Sequence, residues 1–294
     1  MFYRRKIILA LIELLGGQVE KLRFQKLLFL YAMRKQNPEY DFVPYKFGCY
    51  SYSAKADMDA MVKREMISET ENLYSKKDKT NYTVTIKPKD KELLENVVAD
   101  YGKMSNSSLI KHTYLNFPFY AIHSTIVKDV MPGKLYERVE NAIPKDNEIT
   151  LFTIGYEGIS LEMYLQKLLR NNVKLLVDVR KNALSMKFGF SKSLLKRFCN
   201  NSGIDYVHIP EVGITSDKRQ ELNTQADYDQ LFKNYRETTL TETEKEQTEI
   251  LQLLKKHKRI ALTCFEAESC QCHRTHLANA IKNSPDFAYE LKHL

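Results

Sequence analysis

The chain has 294 residues, of which 43% are hydrophobic and 28% are charged, and its formal net charge is +8. This composition is typical of a soluble globular protein that is long enough for two ordinary domains. A membrane protein is excluded because no apolar run approaches the roughly 20 residues that a membrane-spanning helix needs. No signal peptide is visible either, so we expect a cytoplasmic location. The positive charge is compatible with binding to a nucleic acid or nucleotide, and equally with a merely basic protein.

The first half of the chain reads as mainly helical. Helices are predicted over residues 2–15, 22–31, 54–66, 91–104 and 107–116 from the spacing of apolar residues. An aromatic-rich segment over 40–50 alternates and predicts a strand or an extended loop, and residues 82–86 predict a short strand. Helices followed by a small β element are typical of a winged helix. We assign this mainly helical, winged-helix-like domain to residues 1–146.

Basic residues of the second predicted helix and the segment after it suggest the partner of this domain. The predicted nucleic-acid-binding residues are Lys21, Arg23, Lys26 and Lys46. They alternate with aromatic residues, as in surfaces that contact phosphates. A protein partner is the alternative, and a charged helix face that is simply solvated would show the same pattern.

Strands alternate with helices in the second half, after a short polar segment over residues 142–148. The predicted strands cover 149–154, 174–177, 205–208 and 260–263, with helices between them and after the last one. This order predicts a doubly wound, mostly parallel sheet with helices on both faces. We assign the α/β domain to residues 149–294.

Polar and sulfur side chains follow the predicted strands at the points where the strands end. Asp178 and Arg180 follow one strand, and Cys264 and Glu266 follow another. Because the carboxyl ends of parallel strands meet at one edge of a sheet, we expect one composite pocket there. Tyr156 is predicted to form another wall of this pocket.

A phosphate-bearing ligand is the predicted substrate of the pocket. Arg180 and Arg274 are predicted to hold its phosphate, and Glu266 or Asp178 to act as acid or base. His273 completes the predicted substrate-binding residues. The alternative is a buried ion-pair network that fixes the strand ends without taking part in chemistry.

Sulfur chemistry is a second interpretation of the same site. Cys264 or Cys272 is the candidate thiol, since a thiolate at a helix N-terminus beside an arginine is stabilised by the partial positive charge there. The five cysteines are odd in number, and three of them fall within 264–272, which favours reduced thiols over a disulfide framework. Glu266 and Glu268 argue against a thiol nucleophile, because they would repel an anionic substrate.

Metal binding is a third interpretation. The candidate ligands are Cys264, Cys270, Cys272, His273 and His276. Their spacing lacks the Cys-x2-Cys pair of structural zinc sites. On one helix, the neighbours Cys272 and His273 would point about 100° apart, so that only some of the set could share one ion. The sequence therefore assigns no metal and no other cofactor.

The second half resembles the domain of unknown function 488 family. The motifs that carry the resemblance are Thr153-Ile154-Gly155-Tyr156, Val177-Asp178-Val179-Arg180, Gly203-Ile204-Asp205-Tyr206-Val207-His208, Cys264-Phe265-Glu266 and Cys272-His273-Arg274. Their order covers roughly residues 149–282. The resemblance places the candidate site residues on the family's own motif positions, but it supplies no established reaction.

The first half is similar to the Panacea or SocA-like antitoxin domain. This similarity lies in two segments, residues 24–30 and 45–51. Such domains are associated with toxin neutralisation and phage defence. The resemblance therefore implies an alternative function, a non-catalytic interaction module of a phage-defence or toxin–antitoxin system.

Overall fold

A computed structural model describes residues 1–215, 224–268 and 271–294 of the chain. These residues form two compact units, Met1–Ile143 and Pro144–Leu294. Cys270, one of the predicted metal ligands, lies outside the described residues. Within the described part of the chain, no helix is both long enough and apolar enough to cross a membrane.

The N-terminal unit is mainly helical, with short strands between its helices. In chain order its elements are α1 Tyr3–Leu14, β1 Gln18–Glu20, α2 Lys21–Met33, β2 Val43–Tyr45, β3 Gly48–Tyr50, α3 Tyr52–Lys63, β4 Ile67–Glu69, β5 Leu73–Lys76, α4 Pro88–Tyr101, α5 Asn106–Asn116, α6 Val127–Val130 and α7 Lys134–Glu140. A 3-10 helix covers Pro118–Ala121. The strands β1, β5 and β4 form an antiparallel sheet in that order, and β2 pairs with β3 as a separate hairpin.

The apolar run of α1 forms the centre of this unit's core. Every residue from Ile7 to Ile12 is buried, together with most of α2. The helix ends where Gly16 and Gly17 take left-handed φ angles of 83° and 84°, a conformation that costs glycine little. The amide of Gly17 donates to the carbonyl of Ile12 and closes the helix. The helix predicted over residues 2–15 is therefore confirmed.

The strand predicted over residues 82–86 is wrong, because this segment forms a turn. The backbone amides of Tyr82 and Thr83 donate to the carboxylate of Glu13, at 2.8–3.0 Å, instead of to a neighbouring strand. Val84 is exposed. The strands β4 and β5, which lie earlier in the chain, form an antiparallel hairpin instead.

The C-terminal unit is an α/β structure. Its elements are β6 Thr150–Gly155, α8 Leu161–Arg170, β7 Leu175–Asp178, α9 Lys192–Asn201, β8 Asp205–His208, α10 Gln225–Glu237, α11 Thr239–Glu242, α12 Glu244–His257, β9 Arg259–Cys264, α13 His273–Lys282 and β10 Glu290–His293. A 3-10 helix covers Pro210–Val212. The strands lie in the order β10-β6-β9-β7-β8, and each neighbouring pair is parallel. The predicted α/β fold class is confirmed, and β10 is a strand that the sequence pattern did not indicate.

Helices cover both faces of this sheet. Val177 and Leu262 belong to a core cluster that includes Leu254 of α12 and Leu277 of α13. Thr263 follows Leu262 and faces the other way, where the Tyr164 hydroxyl of α8 donates to its Oγ1 at 2.8 Å. Strands that are buried on both faces need near-continuous apolar sequences, which β6, β7 and β9 have.

A buried arginine fastens the amino edge of the sheet. The Arg259 Nε donates to the Asn171 carbonyl at 2.8 Å, and its Nη1 donates to the Glu148 carbonyl at 2.9 Å. The guanidinium also pairs with Asp146 at 3.0 Å and lies 5.0 Å from the centre of the Phe152 ring. Arg259 therefore joins the start of β9 to the end of α8 and to the segment before β6.

We expect Arg259→Lys to destabilise the α/β unit by about 1–3 kcal/mol, because a single ammonium cannot satisfy both carbonyls. Hydrogen exchange of the β6 and β9 amides would measure this loss separately from the N-terminal unit. Arg170→Lys makes the same change at an exposed position of α8 and should alter stability by less than about 0.5 kcal/mol. Equal effects of the two changes would contradict the role given to Arg259.

Candidate functional site

The carboxyl ends of the central strands bring the predicted site residues together. Gly155 lies opposite Cys264 in the β6–β9 pairing, and Asp178 lies opposite Thr263 and His208 in the pairings of β7. The N-terminus of α13 begins beside these strand ends with His273. We define the strand-end site as Tyr156, Asp178, Arg180, Cys264, Glu266, Cys272, His273 and Arg274.

Asp178 and Arg180 form a buried ion pair at the end of β7. The Arg180 Nε donates to Asp178 Oδ1 at 2.8 Å, and Nη2 donates to Oδ2 at 2.5 Å. The Tyr206 hydroxyl of β8 also donates to Oδ2, at 2.7 Å. Burial opposes the charge of Arg180, but the bonds to Asp178 outweigh it and raise the arginine pKa. Burial, and then the charge of Asp178, raise the pKa of Tyr206.

Arg180 also binds two groups from outside its own strand. Its Nη1 donates to the Tyr156 hydroxyl at 2.8 Å and to the Phe190 carbonyl at 2.9 Å. The Tyr156 and Phe190 rings stack with their centres 4.2 Å apart. Arg180 is 5% exposed. Most of the N–H donors of Arg180 therefore bind groups within the protein. This arrangement fits the alternative stated from the sequence, a buried ion-pair network.

Arg274 holds the loop that follows β9. Its Nη1 donates to the Glu266 carbonyl, and Nη2 donates to the Ala267 carbonyl at 3.0 Å. The side chain is 1% exposed, so it does not present its charge to an incoming phosphate. The loop also approaches Gly155 so closely that a Cβ at that position would lie 1.8 Å from the Glu266 carbonyl oxygen.

Cys264, Glu266, Cys272 and His273 form a compact group, which we call the sulfur cluster. Glu266 Oε2 accepts from the thiols of Cys264 at 3.1 Å and Cys272 at 2.9 Å. The His273 Nδ1 lies 3.5 Å from the Cys264 sulfur. Cys264, Cys272 and His273 are buried, and Glu266 is partly exposed. These are donor types that bind a transition metal.

The side chains of Cys272 and His273 reach the same cluster. This finding corrects the sequence argument that the two side chains point about 100° apart. That argument assumed that both residues are helical. Cys272 is instead the N-cap of α13, with φ −132° and ψ 134°. Its extended backbone turns the thiol toward Glu266, so the two neighbouring side chains reach one cluster.

The surroundings of the Cys272 thiol oppose the thiolate that its position at a helix N-terminus was expected to favour. Burial raises its pKa well above the ordinary value for cysteine, and the neighbouring Cys264 and Glu266 raise it further. Arg274 lowers the pKa, but with less effect. The balance of these effects favours the thiol over the thiolate at Cys272.

Two of the cavities lined by described residues lie beside the strand-end site. The first, which we call the Arg180 pocket, has a volume of about 300 Å³ and is lined by Tyr156, Arg180, Lys181, Asn182, Leu184, Ser185, Ile214, Cys264 and Phe265. The second, the Glu266 pocket, has a volume of about 310 Å³ and is lined by Glu157, Tyr228, Leu231, Phe232, Phe265, Glu266 and Gln271. Phe265 lines both cavities and is 43% exposed.

A family model matches this part of the chain. The model described as Domain of unknown function DUF488 covers residues 160–281. The DUF488 match includes Asp178 and the whole sulfur cluster, whereas Tyr156 lies just before it. The resemblance stated from the motifs is confirmed over these residues, and the description attaches no reaction to them. No curated protein matches the chain.

The N-terminal unit lies outside the DUF488 match, so its similarity to the antitoxin domain stays a prediction. Its proposed phosphate-binding residues differ in accessibility. Lys26 is 1% exposed, and its ammonium donates to the Phe47 carbonyl. Arg23 donates to the carbonyls of Gly102 and Met104. Lys21 pairs with Glu69, and Lys46 is exposed.

Sequence reasoning missed several residues around the strand-end site. Lys181 and Phe265 line the Arg180 pocket, and the Lys187 ammonium donates to the Tyr156 carbonyl at 2.5 Å. Burial lowers the pKa of Lys187, and Glu157 opposes this effect. Their positions in the sequence could have indicated these two residues, because Lys181 directly follows Arg180 and Phe265 directly follows Cys264.

We expect Asp178→Asn to destabilise the α/β unit by about 3–5 kcal/mol, because it leaves the buried charge of Arg180 without a counter-charge. Urea unfolding followed by circular dichroism would measure the loss. Asp205→Asn is a matched control, since Asp205 is an exposed residue of the adjacent strand β8. If Asp178→Asn were as mild as the control, the ion pair would not be the structural element that its burial indicates.

Proposed function

We propose that the α/β unit binds a phosphate-bearing ligand in the Arg180 pocket. The observation that carries this proposal is the charge of the cavity wall. Among the described residues, the lining includes the cations Arg180 and Lys181 and no carboxylate. A cavity of about 300 Å³ at the carboxyl ends of parallel strands is where α/β proteins bind ligands.

Lys181 is the principal anion contact in this proposal. Its side chain is exposed, so it can turn toward a phosphate without giving up a buried partner. Arg180 contributes its positive electrostatic potential and one hydrogen-bond donor. This donor is the second N–H of Nη2, which has no partner within the described residues. Hydrogen bonds from cations to phosphate are stronger than neutral ones, which suits a small, partly enclosed cavity.

Aromatic rings in the same wall support a nucleotide or a nucleic-acid end as the ligand. The Phe265 ring is partly exposed and meets the Tyr156 ring edge to face, with centres 5.3 Å apart. Stacking of a base on such a ring contributes about 1–3 kcal/mol and tolerates different bases. Leu184 adds exposed apolar surface to the rim.

The arrangement of the described residues fits binding of a ligand better than catalysis of its conversion. Asp178 is buried and bonded to Arg180 and Tyr206, so it cannot reach a ligand as an acid or base. The thiols of Cys264 and Cys272 both donate to Glu266. The role proposed here is therefore ligand binding, which is also what an interaction module of a phage-defence or toxin–antitoxin system would need.

Binding of small phosphate probes tests this proposal. The probes are inorganic phosphate, a mononucleotide, and matched short single strands with and without a 5′-phosphate, measured by calorimetry or fluorescence. We expect Lys181→Ala to weaken binding of the phosphorylated probes about tenfold or more, since a charge-assisted hydrogen bond contributes about 1.5–3 kcal/mol. Lys181→Arg should retain most of the affinity.

Lys282→Ala is the control for this experiment. Lys282 is exposed at the end of α13 that is remote from the strand ends. Its replacement removes the same charge from the unit and should leave probe binding unchanged. The proposal fails if no phosphate-bearing probe binds, or if both alanine variants lose affinity equally.

A second proposal concerns the N-terminal unit, which we infer docks on a nucleic acid through the tip of the β2–β3 hairpin. Lys46 is exposed there, and the adjacent Phe47 is 50% exposed. A cation beside an exposed ring suits contact with a phosphate and a base. The order of α1, β1, α2, α3 and the β4–β5 hairpin, with the sheet order β1-β5-β4, also supports a winged-helix interpretation.

We expect Lys46→Ala to weaken DNA binding by the full chain and to reduce the salt dependence, the slope of log K against log salt concentration, by about 1. The measurement is fluorescence anisotropy across a series of salt concentrations. Lys103→Ala removes an exposed lysine beyond the end of α4 and serves as the control. Equal slopes for the two variants would contradict the assignment of the hairpin tip.

A further inference from the structure

We infer that the sulfur cluster is a zinc site, with Cys264, Cys272, His273 and Glu266 as its four ligands. One donor atom from each residue lies within 4.8 Å of the donor atoms of the other three. The inference concerns a bound ion and not the ligand of the Arg180 pocket, so it goes beyond the proposed function and does not depend on it.

The observed spacing is close to that of a tetrahedral zinc site. Zinc bonds to sulfur, nitrogen and oxygen place neighbouring ligand atoms about 3.3–3.8 Å apart. Here Glu266 Oε2 lies 2.9 Å from one sulfur and 3.1 Å from the other, and the His273 Nδ1 lies 3.5 Å from the Cys264 sulfur. Small outward shifts of the side chains are enough to admit an ion among them.

The orientation of His273 is that of a metal ligand. Its Nε2 lies 3.0 Å from the Val179 carbonyl oxygen. A carbonyl can only accept, so Nε2 carries the proton and Nδ1 presents its lone pair to the cluster. Ligating histidines almost always donate their other ring N–H to a carbonyl, a carboxylate or water, which fixes the ring. Tyr235 packs edge-on against the His273 ring and restricts it further.

The backbone holds the remaining ligands without help from an ion. Cys264 is the last residue of β9, and Cys272 is the N-cap of α13. Arg274 donates to the carbonyls of Glu266 and Ala267 and so fixes the loop that carries the carboxylate. A preformed arrangement of this kind lowers the cost of binding an ion.

Zinc is the metal that this ligand set favours. Thiolates and imidazole select zinc over magnesium and calcium, which prefer oxygen ligands. On binding, each thiol loses its proton to solvent, and its S–H···Oε2 hydrogen bond is replaced by a bond from sulfur to zinc. Two protons leave for one divalent ion. With two thiolates, one carboxylate and a neutral imidazole the site carries one net negative charge, beside the positive charge of Arg274.

The Glu266 pocket provides the entry path. Glu266 is the partly exposed member of the cluster and lines this cavity, whereas both cysteines are buried. Because four protein groups complete the coordination, the site is of the closed, structural kind and leaves no position for a reacting water. Its effect is to fix the loop after β9 to the start of α13.

Metal analysis of the full chain tests the inference. We expect elemental analysis of protein purified without a metal-affinity step to give about one zinc per chain. The reduced, metal-free protein should bind Co²⁺ with the strong sulfur-to-cobalt absorption of thiolate ligation, and zinc should displace that absorption. This second measurement uses the unaltered chain, so it does not depend on the folding of any variant.

Substitutions separate the cluster from the other thiols. Cys272→Ser should remove stoichiometric zinc, and Glu266→Gln should weaken zinc binding by at least about tenfold. Cys199→Ser makes the same change at a buried thiol of α9 outside the cluster and should retain the ion. The inference is overturned if the unaltered protein binds neither stoichiometric zinc nor cobalt through sulfur, or if Cys272→Ser retains zinc as fully as Cys199→Ser.

The result is independent of the phosphate-binding proposal. If the unaltered chain binds the phosphate probes but neither zinc nor cobalt, the zinc inference is overturned and the proposed function stands. If the unaltered chain binds zinc but no phosphate probe, the proposed function is overturned and the zinc inference stands.

Discussion

A buried carboxylate at the end of one strand organises the carboxyl edge of the α/β unit. Asp178 binds Arg180 through both oxygens and accepts from Tyr206. Arg180 in turn binds Tyr156, which follows β6, and the Phe190 carbonyl. Breaking a buried ion pair leaves an uncompensated charge, which is far more costly than losing an exposed one. One charge interaction therefore links the end of β7 to Tyr156 and to the segment that carries Phe190.

The same short segment also reaches the sulfur cluster and β8. The Val179 carbonyl lies between the two charged residues and accepts from His273, and the Arg180 carbonyl lies 2.8 Å from the His208 Nε2. Backbone and side chains of three consecutive residues thus contact groups from several other elements. This sharing of donors and acceptors gives the Asp-Val-Arg motif a structural role at the carboxyl edge of the sheet.

Much of the fold could be predicted from sequence, because burial on both faces leaves continuous apolar runs in β6 and β9. Residues 82–86 misled the prediction, since alternation alone does not reveal that Glu13, far away in the chain, binds their amides. The gathering of Asp178, Cys264 and Glu266 at one edge was predictable from strand order. The sequence could not predict whether an arginine at this edge binds a ligand or a backbone carbonyl, because the answer depends on the tertiary packing around Arg274.

The close contact at Gly155 has a consequence for how a ligand would bind. The end of β6 and the loop after β9 touch there without room for a methyl group, and the amides of Tyr156 and Glu157 both donate to the Phe265 carbonyl. Two hydrogen bonds therefore hold the backbone at Phe265 against the end of β6. At this side of the Arg180 pocket a ligand would meet backbone that is already bound to the sheet, so ordering this backbone would add little to the entropy lost on association.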